Sequence, residues 1–325
     1  MRRREFLAFF TGAPAWASTS RAQSLVPVIG FLSSASLERF AHLVDAFRDG
    51  LHQLGFREGQ NVNIEYRWAN DDIARLPELA TELVDRQVSV LVASGGIPPA
   101  LAAKATTSTI PIVFTAANDP VGMGLVGSLG RPGGNVTGIN PFSASLDPKR
   151  LELLKALVPE ATAFGVVANK AKQDAVNYWL ELEDTARALG IGIVNVPVSA
   201  EPDFDAAFDS LVATRVSALL VAADPLFTGH RRRLVRLAEQ HRLPAIYQDR
   251  VFAVSGGLMA YGASLAGAYR QAGIYAGRIL RGVSPADLPV LQPTNFELVL
   301  NVKTANTLGL AIPPTLLARA DEVIE

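Results

Sequence analysis

The chain has 325 residues, which fits two units of ~100–200 residues, and 49% of them are hydrophobic while 19% are charged. The formal net charge of −1 excludes a basic nucleic-acid surface, and the composition excludes a disordered chain. The absence of cysteine excludes disulfides, thiolate metal ligands, thiol catalysis and a lipoprotein anchor on an N-terminal cysteine.

Residues 1–23 are predicted to be a signal peptide of the twin-arginine type. Arg3 and Arg4 precede Phe6 and Leu7, and the modest apolar region that follows is too short to span a bilayer. We expect cleavage after Ala22, with cleavage after Ala17 as the alternative. The expected product is a soluble periplasmic protein.

The next part of the chain alternates strands with helices. Strands are predicted at 26–33, 61–68, 88–94, 110–116 and 136–139, and helices at 37–54, at 73–85, up to 105 and from 120 to 129. This alternation predicts a parallel, doubly wound sheet.

A second unit with the same pattern is predicted to begin near Phe142. Its strands are expected at 164–168, 191–198, 218–222, 244–248 and 256–262, and its helices at 149–157, 178–189, 205–212 and 232–241. The tail offers a helix at 267–282, two short extended runs around Pro293 and a terminal helix from Lys303 to Leu308. These pieces are too few for a third domain and are expected to complete the first two.

Ligands of open parallel sheets bind beside the carboxyl ends of the strands. Small polar and aromatic residues stand at those ends, a mixture that suits binding and lacks a nucleophile with its base. We therefore expect a binding protein with no catalytic residue, metal or cofactor. The candidate ligand-binding residues are Ser33, Ser34, Ser94, Gly95, Thr115, Asn118, Asp119, Asn169, Asp224, Tyr247 and Tyr261.

Simpler explanations exist for several of these residues. Asp119 and Asp224 each precede a proline, so helix N-capping accounts for them as well as ligand contact does. The pair Gly95-Gly96 either offers backbone N–H groups to a carboxylate or only makes a turn. The glycines of 122–127 match a dinucleotide-binding pattern, but they fall inside the helix that Asp119 is expected to cap, so we do not predict a nucleotide.

The histidines and the one basic run are interpreted as structural. The four histidines have no metal-binding spacing and are expected to be surface or packing residues. The run from His230 to Arg233, with Arg236, is short and isolated, so it is interpreted as the solvated face of a helix.

Several long motifs carry a family resemblance. They are the Arg-Arg-Glu-Phe-Leu start and the segments 29–33, 55–61, 64–68, 111–114 with Asp119-Pro120, 131–138, 269–277 and 313–324. In this order they resemble the ABC-transporter substrate-binding proteins related to the tryptophan-uptake binding protein, over essentially the whole chain.

The resemblance implies a type I periplasmic-binding-protein fold, in which two α/β lobes joined by three hinge crossings enclose a ligand. The crossings would fall near Asn140, Gly262 and Gln292. The first lobe would then comprise residues 24–140 plus 263–291, and the second 141–262 plus 292–325.

The resemblance also implies a solute receptor that delivers a small molecule to ABC permease subunits. Because characterised members bind aromatic amino acids, an amino acid is the expected ligand. Asp119 or Asp224 would then pair with its ammonium group and Tyr247 would face its side chain, while Trp68 is expected to pack. The carboxylate would meet Ser33, Ser34, Ser94 and Thr115.

We expect a monomer that binds no nucleic acid. Two alternatives remain open: a sensory receptor that presents ligand to a histidine kinase or chemoreceptor, and an exported α/β enzyme.

Overall fold

The computed structural model describes residues 26–116, 119–141, 143–170 and 176–325. The predicted signal peptide and Asn118 lie outside the described residues. The described chain forms two β-sheets, of five and seven strands, with helices on their faces. We call the five-stranded sheet with its helices lobe 1 and the seven-stranded sheet with its helices lobe 2.

The strands are short and the helices mostly connect them. The strands are β1 (Val28–Ser33), β2 (Asn63–Trp68), β3 (Val90–Ser94), β4 (Ile112–Thr115), β5 (Val136–Ile139), β6 (Ala163–Asn169), β7 (Gly192–Val198), β8 (Ala218–Val221), β9 (Ala245–Tyr247), β10 (Met259–Gly262), β11 (Glu297–Asn301) and β12 (Glu322–Ile324). The helices are α1 (Leu37–Gln53), α2 (Leu76–Asp85), α3 (Ile97–Thr106), α4 (Asp147–Leu157), α5 (Val176–Ala188), α6 (Phe204–Ala213), α7 (Pro225–Gly229), α8 (Arg231–Gln240), α9 (Arg250–Val254), α10 (Leu265–Leu280), α11 (Val302–Thr307) and α12 (Pro314–Leu317).

Lobe 1 has the strand order β2-β1-β3-β4-β5, with every neighbouring pair parallel. Successive residues of β3 enter opposite cores: Val92 packs with α1 on one face, and Leu91 packs with α2 and α3 on the other. Because both faces are covered, the strand is a continuous apolar run rather than an alternating one.

Lobe 2 has the order β12-β11-β10-β9-β8-β6-β7. Its strands are parallel except that β10 and β11 pair antiparallel, with Met259 opposite Leu300. The sequence did not indicate this reversal, because the chain leaves lobe 2 after β10, forms α10 on lobe 1 and returns to β11 through an irregular stretch.

The chain passes between the lobes three times: after β5, after β10 and before β11. The first and third crossings pair with each other, since Asn140 donates its backbone N–H to the Leu291 carbonyl at 2.8 Å and Leu291 donates to Gly138 at 2.9 Å. The second crossing leads into α10, which returns to lobe 1 and packs on α1.

The contact between α1 and α10 depends on two glycines. A Cβ atom on Gly50 would lie 2.0 Å from the Arg270 carbonyl oxygen, and one on Gly273 would lie 2.1 Å from the Phe47 carbonyl oxygen. The two helix backbones therefore approach each other more closely than any side chain would allow.

Two predicted helix starts are wrong. Residues 119–129 form successive turns rather than a helix, and Gly124 has φ +67°, which a helix does not accommodate. Asp147 is the first helical residue of α4 rather than its cap, and it is fully buried in an ion pair with Arg150. No described helix is long and apolar enough to cross a membrane.

Candidate functional site

A cavity of about 480 Å³ lies between the lobes, where the carboxyl ends of the parallel strands of both sheets face each other. Its wall includes Ser34, Gly95 and Thr115 from lobe 1, and Asn169 and Asp224 from lobe 2. The volume falls in the range of small-molecule sites.

On the lobe 1 side, the turn from β3 into α3 forms part of the wall. Gly95 and Gly96 have φ +83° and +102°, conformations that glycine adopts without steric cost. The Ser34 hydroxyl donates to the Gly95 carbonyl at 2.5 Å, and a Cβ on Gly95 would lie 2.4 Å from that hydroxyl. The glycine thus lets the β1 and β3 ends meet, with the N-terminus of α3 at the cavity.

Three hydroxyl groups gather beside this turn. Ser94 Oγ and Thr115 Oγ1 are buried, and neither has a hydrogen-bond partner of good geometry among the described residues. The Tyr269 phenol from α10 lies next to both. Burial raises the pKa of Tyr269, and the neighbouring hydroxyls and the Gly95 peptide lower it by less. The phenol therefore stays protonated at neutral pH and can donate.

On the lobe 2 side, Asp224 caps α7. Its Oδ1 accepts from the Leu226 N–H at 2.9 Å and from the Asn169 amide at 3.2 Å. The Gln248 amide donates to the Asp224 carbonyl oxygen at 3.2 Å and contacts the Thr228 hydroxyl at 2.5 Å. This network holds the ends of β6, β8 and β9 in one polar wall.

Asp249 joins the end of β9 to the second crossing. It is buried, and its two oxygens accept from the N–H groups of Val251 at 2.9 Å and Leu265 at 3.0 Å. Burial raises the pKa of Asp249, and these backbone hydrogen bonds oppose the shift only in part. The carboxyl group thus connects lobe 2 to the first residue of α10.

Charged residues join the lobes at the rim of the cavity. In lobe 1, Arg39 of α1 pairs with Asp71, which lines the cavity. Both contact His230 of lobe 2, whose imidazole also lies 3.4 Å from Glu201. In the same region Arg231 Nη1 lies 3.5 Å from the Arg39 carbonyl oxygen. In this conformation the lobes are closed over the cavity.

The sequence model of the ABC transporter substrate-binding protein family matches residues 26–324. The chain belongs to this family. A curated relative, the tyrosine-binding protein of Clostridioides difficile, is 31% identical over 264 residues, which are 81% of this chain and 75% of that protein.

Solved structures share the fold of this chain. A conserved domain protein from Vibrio cholerae is 28% identical with a TM-score of 0.83, covering 92% of this chain and 100% of that one. A Streptococcus pneumoniae domain in complex with L-Trp is 24% identical with a TM-score of 0.81, covering 92% and 99%. The expected type I periplasmic-binding-protein fold is confirmed.

Five predicted positions of this substrate-binding protein line the cavity: Ser34, Gly95, Thr115, Asn169 and Asp224. Ser94 lies just behind, beside Tyr269. Ser33 is fully buried, and its hydroxyl accepts from the Ala35 N–H at 3.3 Å. All of these lie at the expected strand ends.

Three other candidates lie away from the cavity wall. Tyr247 was expected to face the ligand, but its ring is 1% exposed and stacks on Phe252 in the lobe 2 core, which corrects that expectation. Tyr261 packs near Phe296, with ring centroids 6.3 Å apart. Asp119 is exposed and caps its turn through the Val121 N–H at 3.0 Å.

The sequence analysis missed Asp71, Thr228, Gln248, Asp249 and Tyr269, which line the cavity. Gln248 is the last residue of a predicted strand and Asp249 follows it directly, so their position was a usable signal. Asp71 stands in a left-handed turn after β2 with φ +67°, and Tyr269 arrives from a distant helix. Neither of these two carries a local signal.

Proposed function

We propose that the protein is the solute receptor of an ABC importer and binds an amino acid with an apolar, aromatic side chain between its lobes. The observation that carries the proposal is that a hydroxyl donor and a carboxylate face each other across one cavity. The Thr115 hydroxyl, which has no hydrogen-bond partner of good geometry among the described residues, stands on lobe 1, and the Asp224 carboxylate stands on lobe 2. An α-amino acid presents a complementary pair of groups.

The ligand carboxylate would bind to lobe 1. Thr115 offers a hydroxyl donor at the cavity wall, whereas the Ser34 hydroxyl would have to leave the Gly95 carbonyl oxygen to donate to the ligand. The N-terminus of α3 adds backbone dipoles that favour an anion. Tyr269 offers a phenol beside Thr115. A carboxylate accepting from Thr115 would satisfy a buried oxygen that otherwise lacks a partner.

The ligand ammonium would bind to Asp224, with Asn169 orienting that carboxylate. Hydrogen bonds to charged groups contribute ~1.5–3 kcal/mol. The side chain would occupy the apolar part of the cavity wall, which contains Phe40, Ile73, Ile97, Met123 and Leu226. The tyrosine and tryptophan ligands named for the relatives support an aromatic side chain.

We further propose that the signal within residues 1–23 directs twin-arginine export, and that cleavage after Ala22 leaves a soluble periplasmic monomer that docks on permease subunits. The proposed limits are residues 24–140 plus 263–291 for lobe 1 and 141–262 plus 292–325 for lobe 2. The return of α10 to lobe 1 supports this division.

The test is calorimetric titration of the mature protein with the twenty amino acids, followed by Asp224→Asn. Asparagine caps helices as well as aspartate does, so this change removes the charge and keeps the cap. We expect the affinity for the amino acid to fall tenfold or more, ~1.5–3 kcal/mol, while the deaminated analogue loses much less.

The matched control is Asp119→Asn, the same change at the other Asp-Pro turn, away from the cavity. It should leave the affinity unchanged. Equal loss in both variants, or no binding across the panel, contradicts the proposal.

A further inference from the structure

A second concave surface, of about 610 Å³, lies outside the ligand cavity. Its wall includes His42, Arg231, Arg232, Arg236 and Arg250, and we call it the basic groove. These residues belong to α1, α8 and α9. The proposed amino-acid site uses none of them.

Part of this positive charge has no counter-ion among the described residues. Arg250 pairs with Glu322, and Arg231 donates to the Thr228 carbonyl at 3.2 Å. Arg232 and Arg236 are exposed and make no ion pair or hydrogen bond with the described residues. The guanidinium groups one helical turn apart repel each other, and cations in the first turn of α8 oppose the helix dipole.

Burial is the main influence on the pKa of two groups in the groove, and the neighbouring arginine is the second. Burial, and then the charge of Arg232, lower the pKa of Arg231, while buried Asp249 raises it by less. Burial and then Arg231 lower the pKa of His42, against smaller opposing contributions from Asp249 and Asp45. An external anion would relieve the repulsion between Arg231 and Arg232, which Asp249 offsets only in part.

The two lobes form this groove together. His42 belongs to α1 of lobe 1, whereas the arginines belong to lobe 2. Arg231 also lies 3.5 Å from the Arg39 carbonyl oxygen across the lobe boundary. Opening the lobes would separate the two walls, so the complete groove is a property of the closed form.

We propose that the basic groove docks an acidic segment of a partner protein, and does so when the lobes are closed. Arg232 and Arg236 stand four residues apart, ~6 Å along α8, and Arg250 stands on a different helix. This spread fits successive carboxylates along a peptide better than one compact anion. Val254, 56% exposed in the same groove, offers an apolar contact. The dependence on closure rests on the proposed function, because the amino acid favours the closed form.

The probe is a fluorescein-labelled decapeptide of alternating glutamate and valine, with a lysine–valine decapeptide as its counterpart. Fluorescence anisotropy measures binding to the mature protein. We expect the acidic peptide alone to bind, with an affinity that falls as salt rises. Arg232→Glu/Arg236→Glu should weaken binding about tenfold or more, since close like charges replace attraction.

The matched control is Arg131→Glu/Arg319→Glu, which changes the net charge equally at two exposed positions outside the groove. It should retain nearly the original affinity. Equal loss in both double variants would show that net charge alone binds the peptide and would overturn the proposal. Displacement by inorganic phosphate, with phosphate itself bound through Arg232 and Arg236, would also overturn it in favour of a small-anion site.

The closure dependence has its own measurement. Saturating amino acid should tighten peptide binding, and peptide should tighten amino-acid binding by the same factor. Arg232→Glu/Arg236→Glu should keep its amino-acid affinity in the absence of peptide. Peptide binding that is indifferent to a bound amino acid overturns closure dependence. If no amino acid binds, the proposed function fails, while the two double variants still decide whether the groove docks an acidic segment.

Discussion

Asp71 Oδ2 lies 3.6 Å from His230 Nε2, and the two residues belong to different lobes. Arg39 contacts both of them, so one carboxylate, one guanidinium and one imidazole meet at the rim of the cavity. The contact needs closed lobes. Its strength should therefore be visible in the affinity for the ligand, because ligand binding and closure are coupled.

A double-mutant cycle of Asp71→Asn and His230→Gln should give a coupling of at most about 1 kcal/mol in the ligand binding free energy, since the Asp71 side chain is 35% exposed. Each single change should weaken binding a few-fold, because the closed form loses a contact. Calorimetry of the four proteins measures the coupling. Strict additivity would mean that this contact does not favour closure.

The same contact should depend on pH. Burial raises the pKa of Asp71, but the contact with His230 and the charge of Arg39 outweigh burial and lower it. The stabilisation is thus present above the ordinary aspartate pKa of ~3.9 and is lost as pH falls through the lower folded value. Thermal unfolding of the wild type and Asp71→Asn should differ at neutral pH and converge in acid. A difference that persists in acid would contradict the assignment.

Two tyrosines should respond differently to loss of the hydroxyl. Tyr269→Phe removes the phenol beside Ser94 and Thr115, so we expect the affinity to fall about three- to tenfold, near 1 kcal/mol. Tyr247→Phe is the control, because its ring lies in the lobe 2 core, and it should leave the affinity unchanged. Calorimetric titration compares the two variants. A larger loss of affinity in Tyr247→Phe than in Tyr269→Phe would place the ligand against Tyr247 and would contradict the assignment.

Removing Arg150 should be strongly destabilising. Its side chain is fully buried, pairs with Asp147 and donates to the Tyr261 carbonyl at 2.7 Å, just before the second crossing. Arg150→Met leaves the Asp147 carboxylate buried without its cation, and we expect the free energy of unfolding to fall by about 3–5 kcal/mol. The neighbouring substitution Lys149→Met changes an exposed side chain, and it should lower the free energy of unfolding by less than ~0.5 kcal/mol. Denaturant titration measures both.

Gly273→Ala should separate α10 from α1. The added methyl group would lie 2.1 Å from the Phe47 carbonyl oxygen, so we expect the free energy of unfolding to fall by about 1–3 kcal/mol or more. Gly130→Ala is the control, since nothing lies within 4 Å of its Cβ position. If the two variants have the same stability, the helices are not closely packed at Gly273.

Strand ends could be predicted from the sequence because apolar runs and their polar endings are local. The direction of a side chain at a short strand could not, as Tyr247 shows. The strand β9 has three residues, and which of them faces the core depends on its pleat and on its neighbours rather than on residue type. The residues just beyond it, Gln248 and Asp249, reach the cavity instead.

Two other differences have separate causes. The segment after Asp119 contains Gly122, Gly124 and Gly127, and three glycines weaken a helix more than one favourable cap strengthens it. The contact between Arg39 and His230 joins residues 191 positions apart, so no local pattern could indicate it.

The return of α10 to α1 sets an order of events during synthesis. Phe47 and Leu51 of α1 belong to the core that α10 covers, and α10 ends at Leu280. A ribosome that has finished β10 has made every strand of lobe 1 but not this covering helix. The lobe that is synthesised first is therefore completed late, and its apolar helix face stays uncovered for most of translation. A chaperone that holds nascent chains would find its target on α1.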